Sequence, residues 1–123
     1  MTQAVTPPWT CTASENPAFF TAAELKQLID SGKPIELIDV REPAEWEIVS
    51  IPGARLVPKD QILRGDALAS LPQDRQIVMY CKTGVRSAET LAAVKNAGFS
   101  DAVHVQGGVT AWVKQVDPSL PSY

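Results

Sequence analysis

The segment QIVMYCKTGVRS at residues 76–87 contains the clearest structural signal of the chain. Residues 76–81 are rich in branched and aromatic side chains and too few for a helix, which predicts a buried strand. A helix is predicted from Ser87 to Ala97, with Ser87 as its N-cap and Gly98 as its stop. The side chains expected to face inward from this helix are Ala88, Leu91, Ala92 and Val94. Cys81 therefore lies where a strand passes into a helix.

Strand and helix signals alternate on both sides of this segment. A capping-box pattern at Thr21 and Glu24 predicts the start of a first helix. Further strands are predicted near residues 35–40, 54–57 and 102–105, and further helices near 44–49, 59–71 and 109–116. This alternation predicts an α/β fold: one domain with a central, mostly parallel sheet of about five strands and helices on both faces.

The first 18 residues differ from the rest of the chain. They contain three prolines and no apolar period, so we expect an irregular lead-in or linker over 1–18 and a domain over 19–123. Cys11 lies in this lead-in. A mobile thiol there could receive a group from a reactive site elsewhere in the chain, resolve an intermediate as a disulfide, or have no role, and we favour the last interpretation.

Composition excludes several classes of function. With 45% apolar residues, 20% charged residues and a net charge of −3, the chain has no basic stripe for nucleic acid and no apolar run long enough for a membrane. Two cysteines without neighbouring ligands at metal spacing favour neither a disulfide framework nor a zinc site. We therefore expect no metal, no nucleic acid, no membrane association and a cytoplasmic location.

The loop at 81–87 has the features of a reactive thiol site. In open α/β sheets, ligands bind beyond the carboxyl ends of strands, where helix N-termini present free N–H groups. The helix dipole, the cations Lys82 and Arg86 and the loop amides should favour the thiolate form of Cys81. Gly84 permits the tight backbone turn that such a loop needs. A merely buried Cys81 is the alternative, but apolar burial does not require so polar a loop.

The loop CKTGVRS at 81–87 resembles the active-site loop of rhodanese-type sulfurtransferases. Three other segments are also similar to that family: LIDVRE at 37–42 with Glu45-Trp46, IPGA at 51–54, and GGVTAW at 107–112. The resemblance extends from about Phe19 to the end of the sequence, with four motifs in the expected order. It implies a single rhodanese-like domain.

The resemblance implies that Cys81 accepts sulfane sulfur as a persulfide and passes it to a thiophilic acceptor, so that the only carrier is this covalent intermediate and no cofactor is needed. Lys82 and Arg86 would orient an anionic donor and stabilise the leaving group. The outer sulfur would be held by the backbone amides of Lys82, Thr83, Gly84, Val85, Arg86 and Ser87. Asp39 and Arg41 would brace the loop or form its rim, although an ordinary ion pair or turn cap explains them equally well.

The number of residues between Cys81 and Arg86 distinguishes this loop from the loops of other enzymes with the same fold. Dual-specificity phosphatases that share the fold have five residues between Cys and Arg, whereas four separate Cys81 from Arg86. The shorter loop favours a sulfur atom over a tetrahedral oxyanion, and arsenate reduction is a minor alternative. His104, the only histidine, falls in a short strand and is interpreted as a surface or bridging residue rather than a base.

Two hypotheses about the role of the domain remain open. Residues 107–123 resemble the C-terminal tail of adenylyltransferase–rhodanese fusion proteins, which implies delivery of sulfur to a small carrier protein ending in Gly-Gly for molybdopterin, thiamine or cysteine biosynthesis. The donor would be thiosulfate or a persulfide-donating protein. Because the sequence contains no adenylyltransferase half, we expect a fused or separate adenylyltransferase partner. The alternative is a free-standing thiosulfate:cyanide-type sulfurtransferase, and a non-catalytic regulatory domain is disfavoured because Cys81 is present.

Overall fold

A computed structural model describes residues 19–123 as an α/β domain around one parallel sheet. The strands are β1 (Phe19–Phe20), β2 (Ile35–Asp39), β3 (Arg55–Leu56), β4 (Gln76–Tyr80) and β5 (Val103–Val105). The helices are α1 (Ala22–Asp30), α2 (Pro43–Ile48), α3 (Lys59–Leu63), α4 (Val85–Asn96) and α5 (Gly108–Gln115), with a 3₁₀ turn at Leu68–Ser70. The sheet order is β1-β5-β4-β2-β3. The predicted fold class is confirmed, and the lead-in with Cys11 lies outside the described residues.

The sheet has an apolar core on each face because the side chains of β4 alternate between the faces. Ile77 and Met79 pack with α3 and α4, whereas Val78 and Tyr80 pack with α1 and α5. All four are buried. Burial on both faces explains why this strand reads as a continuous apolar run, as is typical of central parallel strands. No helix within residues 19–123 is long and apolar enough to cross a membrane.

Strand β1 is the element that the sequence did not predict. It contains two residues, and Phe19 pairs in parallel with His104 of β5. Two residues are too few to show the period-2 alternation by which a strand is recognised. Its pairing with β5 is a long-range contact that only the folded sheet reveals.

The helix predicted over 59–71 is shorter than expected. Helix α3 ends at Leu63, and Gly65 follows with φ of 85°. Because this left-handed conformation is incompatible with a continuing α-helix, the chain turns there and forms only a 3₁₀ turn at Leu68–Ser70.

The inward face of α4 also differs from the prediction. Ser87, Thr90, Leu91 and Val94 are its buried residues. Ala92, which was expected to face inward, is exposed. The buried positions follow the i, i+3, i+4, i+7 stripe of a helix, and this stripe includes two hydroxyl side chains that an apolar-only pattern overlooks.

The order of the strands determines where the connections that follow β2 and β4 run. From β2 the chain continues outward to β3, whereas from β4 it continues in the opposite direction to β5. The connections that follow β2 and β4 therefore diverge at the carboxyl ends of these neighbouring strands. Such a topological switch point is where open α/β sheets bind their ligands.

Candidate active site

Cys81 directly follows β4, and its side chain is only 1% exposed. The backbone N–H of Gly84 donates a hydrogen bond to Sγ over 3.0 Å, and the hydroxyl oxygen of Ser87 lies 3.6 Å from Sγ. Gly84 has φ of 116° and is the N-cap of α4. The turn at Gly84 thus aims one backbone N–H and the positive end of a helix at the sulfur.

The prediction that Ser87 is the helix N-cap is wrong. Helix α4 begins at Val85, because the left-handed turn at Gly84 starts the helix two residues before the predicted position. Ser87 is buried in the first turn, and its hydroxyl donates to the carbonyl of Gly84 at 3.2 Å and contacts the sulfur. Its side chain therefore faces the site instead of capping the helix.

The first turn of α5 holds the loop at 81–87 in place through two backbone hydrogen bonds. The amides of Val109 and Thr110 donate to the carbonyls of Cys81 and Lys82 at 2.9 and 3.1 Å. Gly108 allows this approach, because a Cβ at that position would come within 2.5 Å of the carbonyl oxygen of Lys82. The sequence predicted only a tight turn here, whereas the structure shows that the Gly107-Gly108 turn also brings two α5 amides within hydrogen-bond distance of two loop carbonyls.

Arg86 is held by an acidic side chain from α2. Its two terminal nitrogens donate to Glu45 at 2.7 and 2.9 Å. These bonds raise the pKa of Arg86 and, against the opposing effect of burial, lower the pKa of Glu45 to about 2. The predicted donor-orienting cation is therefore already paired. Glu45 belongs to one of the segments that resemble the rhodanese family, but no role for it was predicted from the sequence.

We predict that Glu45 stabilises the fold in a pH-dependent way. Its pKa is lowered from 4.5 to about 2, so its contribution is complete above pH 4.5 and is lost as the pH falls toward 2. Glu45→Gln should therefore lower the free energy of unfolding by roughly 1–2 kcal/mol at pH 7 and by much less near pH 2.5. Urea unfolding at both pH values measures this.

The matched control for this prediction is Glu47→Gln on the same helix. Glu47 is exposed and makes no side-chain hydrogen bond within residues 19–123. Its replacement should change stability little and equally at both pH values. If Glu45→Gln lowered the free energy of unfolding by the same amount at pH 2.5 and at pH 7, the assigned ion pair would be contradicted.

Asp39 and Arg41 form a fully buried ion pair, with 2.6 Å between Nη2 and Oδ2. The carboxylate also accepts from the backbone N–H of Arg41 at 2.9 Å, and Nη2 donates to the carbonyl of Val49. Burial alone would lower the pKa of Arg41, but the bonds to Asp39 and Tyr123 outweigh it and raise that pKa. Both side chains are 0% exposed. The hydrogen bonds described above join them to each other, to Val49 and to Tyr123, which all lie outside the loop at 81–87.

Tyr123 joins these groups from a distant part of the sequence. Its hydroxyl accepts from Nη1 of Arg41 at 2.7 Å and donates to Oε1 of Glu45 at 2.6 Å. The ammonium of Lys82 lies 4.3 Å from the centre of its ring. Burial is the main cause that raises the pKa of Tyr123. From the sequence, this tail could be recognised only by its resemblance to a family, and these contacts were not predicted.

The interpretation of His104 as a surface or bridging residue is wrong as regards its exposure. The side chain is buried, 8% exposed, and Nδ1 lies 2.9 Å from the hydroxyl oxygen of Ser87. Strand alternation turns it to the face that α4 covers, opposite to its neighbours Val103 and Val105. A single polar residue between two apolar ones gives no sequence signal for this placement.

The two remaining loop residues, Thr83 and Val85, have exposed side chains, and Val85 has 71% of its surface accessible. Across residues 19–123, no group of three or more His, Cys, Asp or Glu side chains could hold a metal ion. The site therefore consists of the Cys81 sulfur, the Gly84 N–H that donates to it, and the nearby ion pair of Arg86 and Glu45.

Comparison with known proteins relates the whole domain to one family. The family model described as "Rhodanese-like domain" matches residues 21–115. "Probable adenylyltransferase/sulfurtransferase MoeZ" of Mycobacterium tuberculosis is 62% identical over 103 residues, which cover 84% of this chain but only 26% of that protein. A protein named "Sulfurtransferase" from Allochromatium vinosum is 32% identical over 91 residues, covering 73% of this chain and 82% of the relative.

Among solved structures, the rhodanese-like domain protein of Staphylococcus aureus superposes with a TM-score of 0.73 at 35% identity. The match covers 86% of this chain and 98% of the other. The family model spans most of the described domain, including the Cys81 loop and the first turn of α5 that supports it. This chain belongs to the rhodanese-like domain family.

Proposed function

We propose that the domain is a sulfurtransferase that carries sulfane sulfur as a persulfide on Cys81. The observation that supports this most directly is the contact of Sγ with the Gly84 amide at the N-terminus of α4. An N–H donor and a helix N-terminus both stabilise a negatively charged sulfur. A thiolate or a persulfide anion is such a sulfur.

The proposed reaction needs no external redox agent when thiosulfate is the donor. The Cys81 thiolate attacks the outer sulfur, the sulfur–sulfur bond of thiosulfate breaks, and sulfite leaves with the electron pair. The outer sulfur of the resulting persulfide anion is then transferred to a nucleophilic acceptor such as cyanide, which regenerates the thiolate. Preorganised donors around the sulfur lower the cost of this charge at both stages.

Lys82 is the cation best placed to attract an anionic donor. Arg86 is neutralised by Glu45, whereas Lys82 forms no ion pair in the described part of the chain and rests on the ring of Tyr123. A cation on an aromatic ring keeps its full charge and can still meet an incoming anion. We therefore assign donor attraction mainly to Lys82, and to Arg86, whose charge is shared with Glu45, only a smaller part in stabilising charge near the sulfur.

We further propose that the acceptor is a small sulfur-carrier protein ending in Gly-Gly, activated by a fused or separate adenylyltransferase. The 62% identity to a protein named as both adenylyltransferase and sulfurtransferase supports this delivery role. The burial of Cys81, which is 1% exposed, supports it as well. A Gly-Gly terminus has no side chains and can approach such a recessed atom more closely than other sequences.

A free-standing sulfurtransferase that acts on small donors and acceptors is the second candidate. The similarity to the Allochromatium vinosum sulfurtransferase supports it, because that protein is covered over 82% of its length and is itself a short chain of this kind. The two candidates share the persulfide step and differ in the acceptor. They predict different products from the same loaded domain.

Intact-mass spectrometry separates the two candidates. The domain is loaded with thiosulfate, freed of donor, and mixed with either cyanide or an adenylated carrier ending in Gly-Gly. With the carrier, the persulfide attacks the acyl adenylate, AMP leaves, and a thiol reductant added afterwards reduces the acyl disulfide to the carrier thiocarboxylate and the Cys81 thiol. Delivery predicts that the domain gains one sulfur atom and that the carrier then gains it. A carrier ending in Ala-Ala is the matched control and should accept little. Transfer to cyanide but not to the carrier would favour the free-standing enzyme.

A further inference from the structure

His104 and Ser87 form a buried polar pair that the proposed sulfur transfer does not use. The Ser87 hydroxyl oxygen lies 2.9 Å from Nδ1 of His104 and 3.6 Å from Sγ of Cys81. All three side chains are less than one tenth exposed. The hydroxyl therefore stands between an imidazole and the reactive sulfur.

The direction of the Ser87 proton depends on the imidazole. The hydroxyl has one proton and three possible acceptors: Nδ1 of His104, the Gly84 carbonyl at 3.2 Å, and the sulfur. If the neutral ring carries its proton on Nε2, then Nδ1 accepts the Ser87 proton and the sulfur receives none. If the proton is on Nδ1, the ring donates to the oxygen and the hydroxyl proton is free to turn toward Sγ.

A charged sulfur favours the second arrangement. A thiolate or persulfide anion attracts a hydroxyl proton more strongly than the neutral carbonyl of Gly84 does, because hydrogen bonds to charged acceptors are the stronger ones. The sulfur then has two donors, the amide of Gly84 and the hydroxyl of Ser87. This changes only the ring tautomer and the rotation of one hydroxyl group.

The surroundings of His104 are consistent with a neutral ring. Burial lowers its pKa, and its register partners on β1 and β4, Phe19 and Met79, carry no charge. The charged side chains of α4 are engaged elsewhere: Arg86 with Glu45, Glu89 with Lys59, and Lys95 with the Ser100 carbonyl. Cys81 is the titratable group that the Ser87 hydroxyl connects to His104.

We propose that His104 is a positioning residue that holds its proton on Nδ1 and thereby directs the Ser87 hydroxyl to the Cys81 sulfur anion. This deepens the proposed function, on which its role in sulfur transfer rests, by adding a second hydrogen-bond donor for the anion. Loss of either member of the pair removes this donor and should slow reactions in which Cys81 acts as an anion.

Alkylation of Cys81 by iodoacetamide tests the pair, because only the thiolate reacts. The experiment uses the Cys11→Ser background, in which Cys81 is the only cysteine. At pH 7, Ser87→Ala and His104→Leu should each react roughly tenfold more slowly, and the double variant should be no slower than either single one. His104→Asn retains an N–H donor near Nδ1 and should restore most of the rate. Additive losses, or an unchanged rate in His104→Leu, would overturn the proposal.

Nitrogen-15 NMR of the unmodified chain gives a second test that does not depend on the variants folding. The chain has one histidine, so both ring-nitrogen signals belong to His104, and their different couplings to the two ring C–H protons distinguish Nδ1 from Nε2. The proposal expects Nδ1–H when Cys81 is a thiolate, and an Nε2–H ring would overturn it. Neither test uses a sulfur donor. If the domain shows the Nδ1–H ring but transfers no sulfur, the proposed function is wrong and this inference is unaffected. If it transfers sulfur but has an Nε2–H ring, this inference is wrong and the proposed function is unaffected.

Discussion

Replacing Cys81 with serine is expected to reduce thiosulfate:cyanide sulfurtransferase activity to background, a loss on the order of a thousandfold or more in kcat/KM. A serine hydroxyl is not ionised at neutral pH and forms no persulfide. The substitution is small, and the Gly84 amide can still donate to the new oxygen, so the fold should persist. The measurement is initial-rate thiocyanate formation, together with intact mass after exposure to thiosulfate.

The matched control is Cys11→Ser, which removes the other cysteine of the chain. If Cys11 has no role, as the sequence favours, this variant should gain one sulfur atom from thiosulfate and keep the wild-type rate. Equal activity in wild type and Cys81→Ser would remove Cys81 from the mechanism. A gain of sulfur by Cys81→Ser that disappears when Cys11 is also replaced would place the carrier thiol in the lead-in.

The part of the site that could be predicted from sequence is the part whose signals are local. A short apolar run, a cysteine, a polar loop with glycine and a helical stripe stand next to one another at 76–97. The order of these signals was enough to place Cys81 between β4 and α4. The prediction that Ser87 is the N-cap was wrong. Both a serine before a helical run and a glycine with positive φ can precede a helix, and the sequence does not show which of the two does so here.

The parts that could not be predicted come from positions far apart in the chain. Glu45 reaches Arg86 across 41 positions, and Tyr123 reaches Arg41 across 82. The first contact exists because the carboxyl ends of β2 and β4 lie side by side. The second brings the segment after α5 back to a residue that follows β2, and no local pattern reports either arrangement. The same reason applies to His104, which approaches Ser87 only because β5 is the neighbour of β4.

Replacing Asp39 with alanine is expected to produce the largest loss of stability among the charged substitutions considered, about 3–5 kcal/mol in the free energy of unfolding. Arg41 would remain fully buried without the carboxylate that accepts from its Nε and Nη2 atoms. An uncompensated charge in a protein interior is costly because it loses its hydration and gains no partner. Urea unfolding at pH 7, followed by circular dichroism, measures the change in midpoint.

Two comparisons distinguish this burial effect from the general loss of a carboxylate. Asp30→Ala removes the partner of Lys26 in an ion pair whose side chains are 58% and 47% exposed, so its cost should be under about 0.5 kcal/mol. Replacing both members of the buried pair, Asp39→Leu with Arg41→Met, should cost less than Asp39→Ala alone, because no charge then remains unpaired. Equal losses for Asp39→Ala and Asp30→Ala would contradict the burial of this pair. A double variant less stable than Asp39→Ala would show that the remaining bonds of Arg41, to Val49 and Tyr123, stabilise the fold more than its unpaired charge destabilises it.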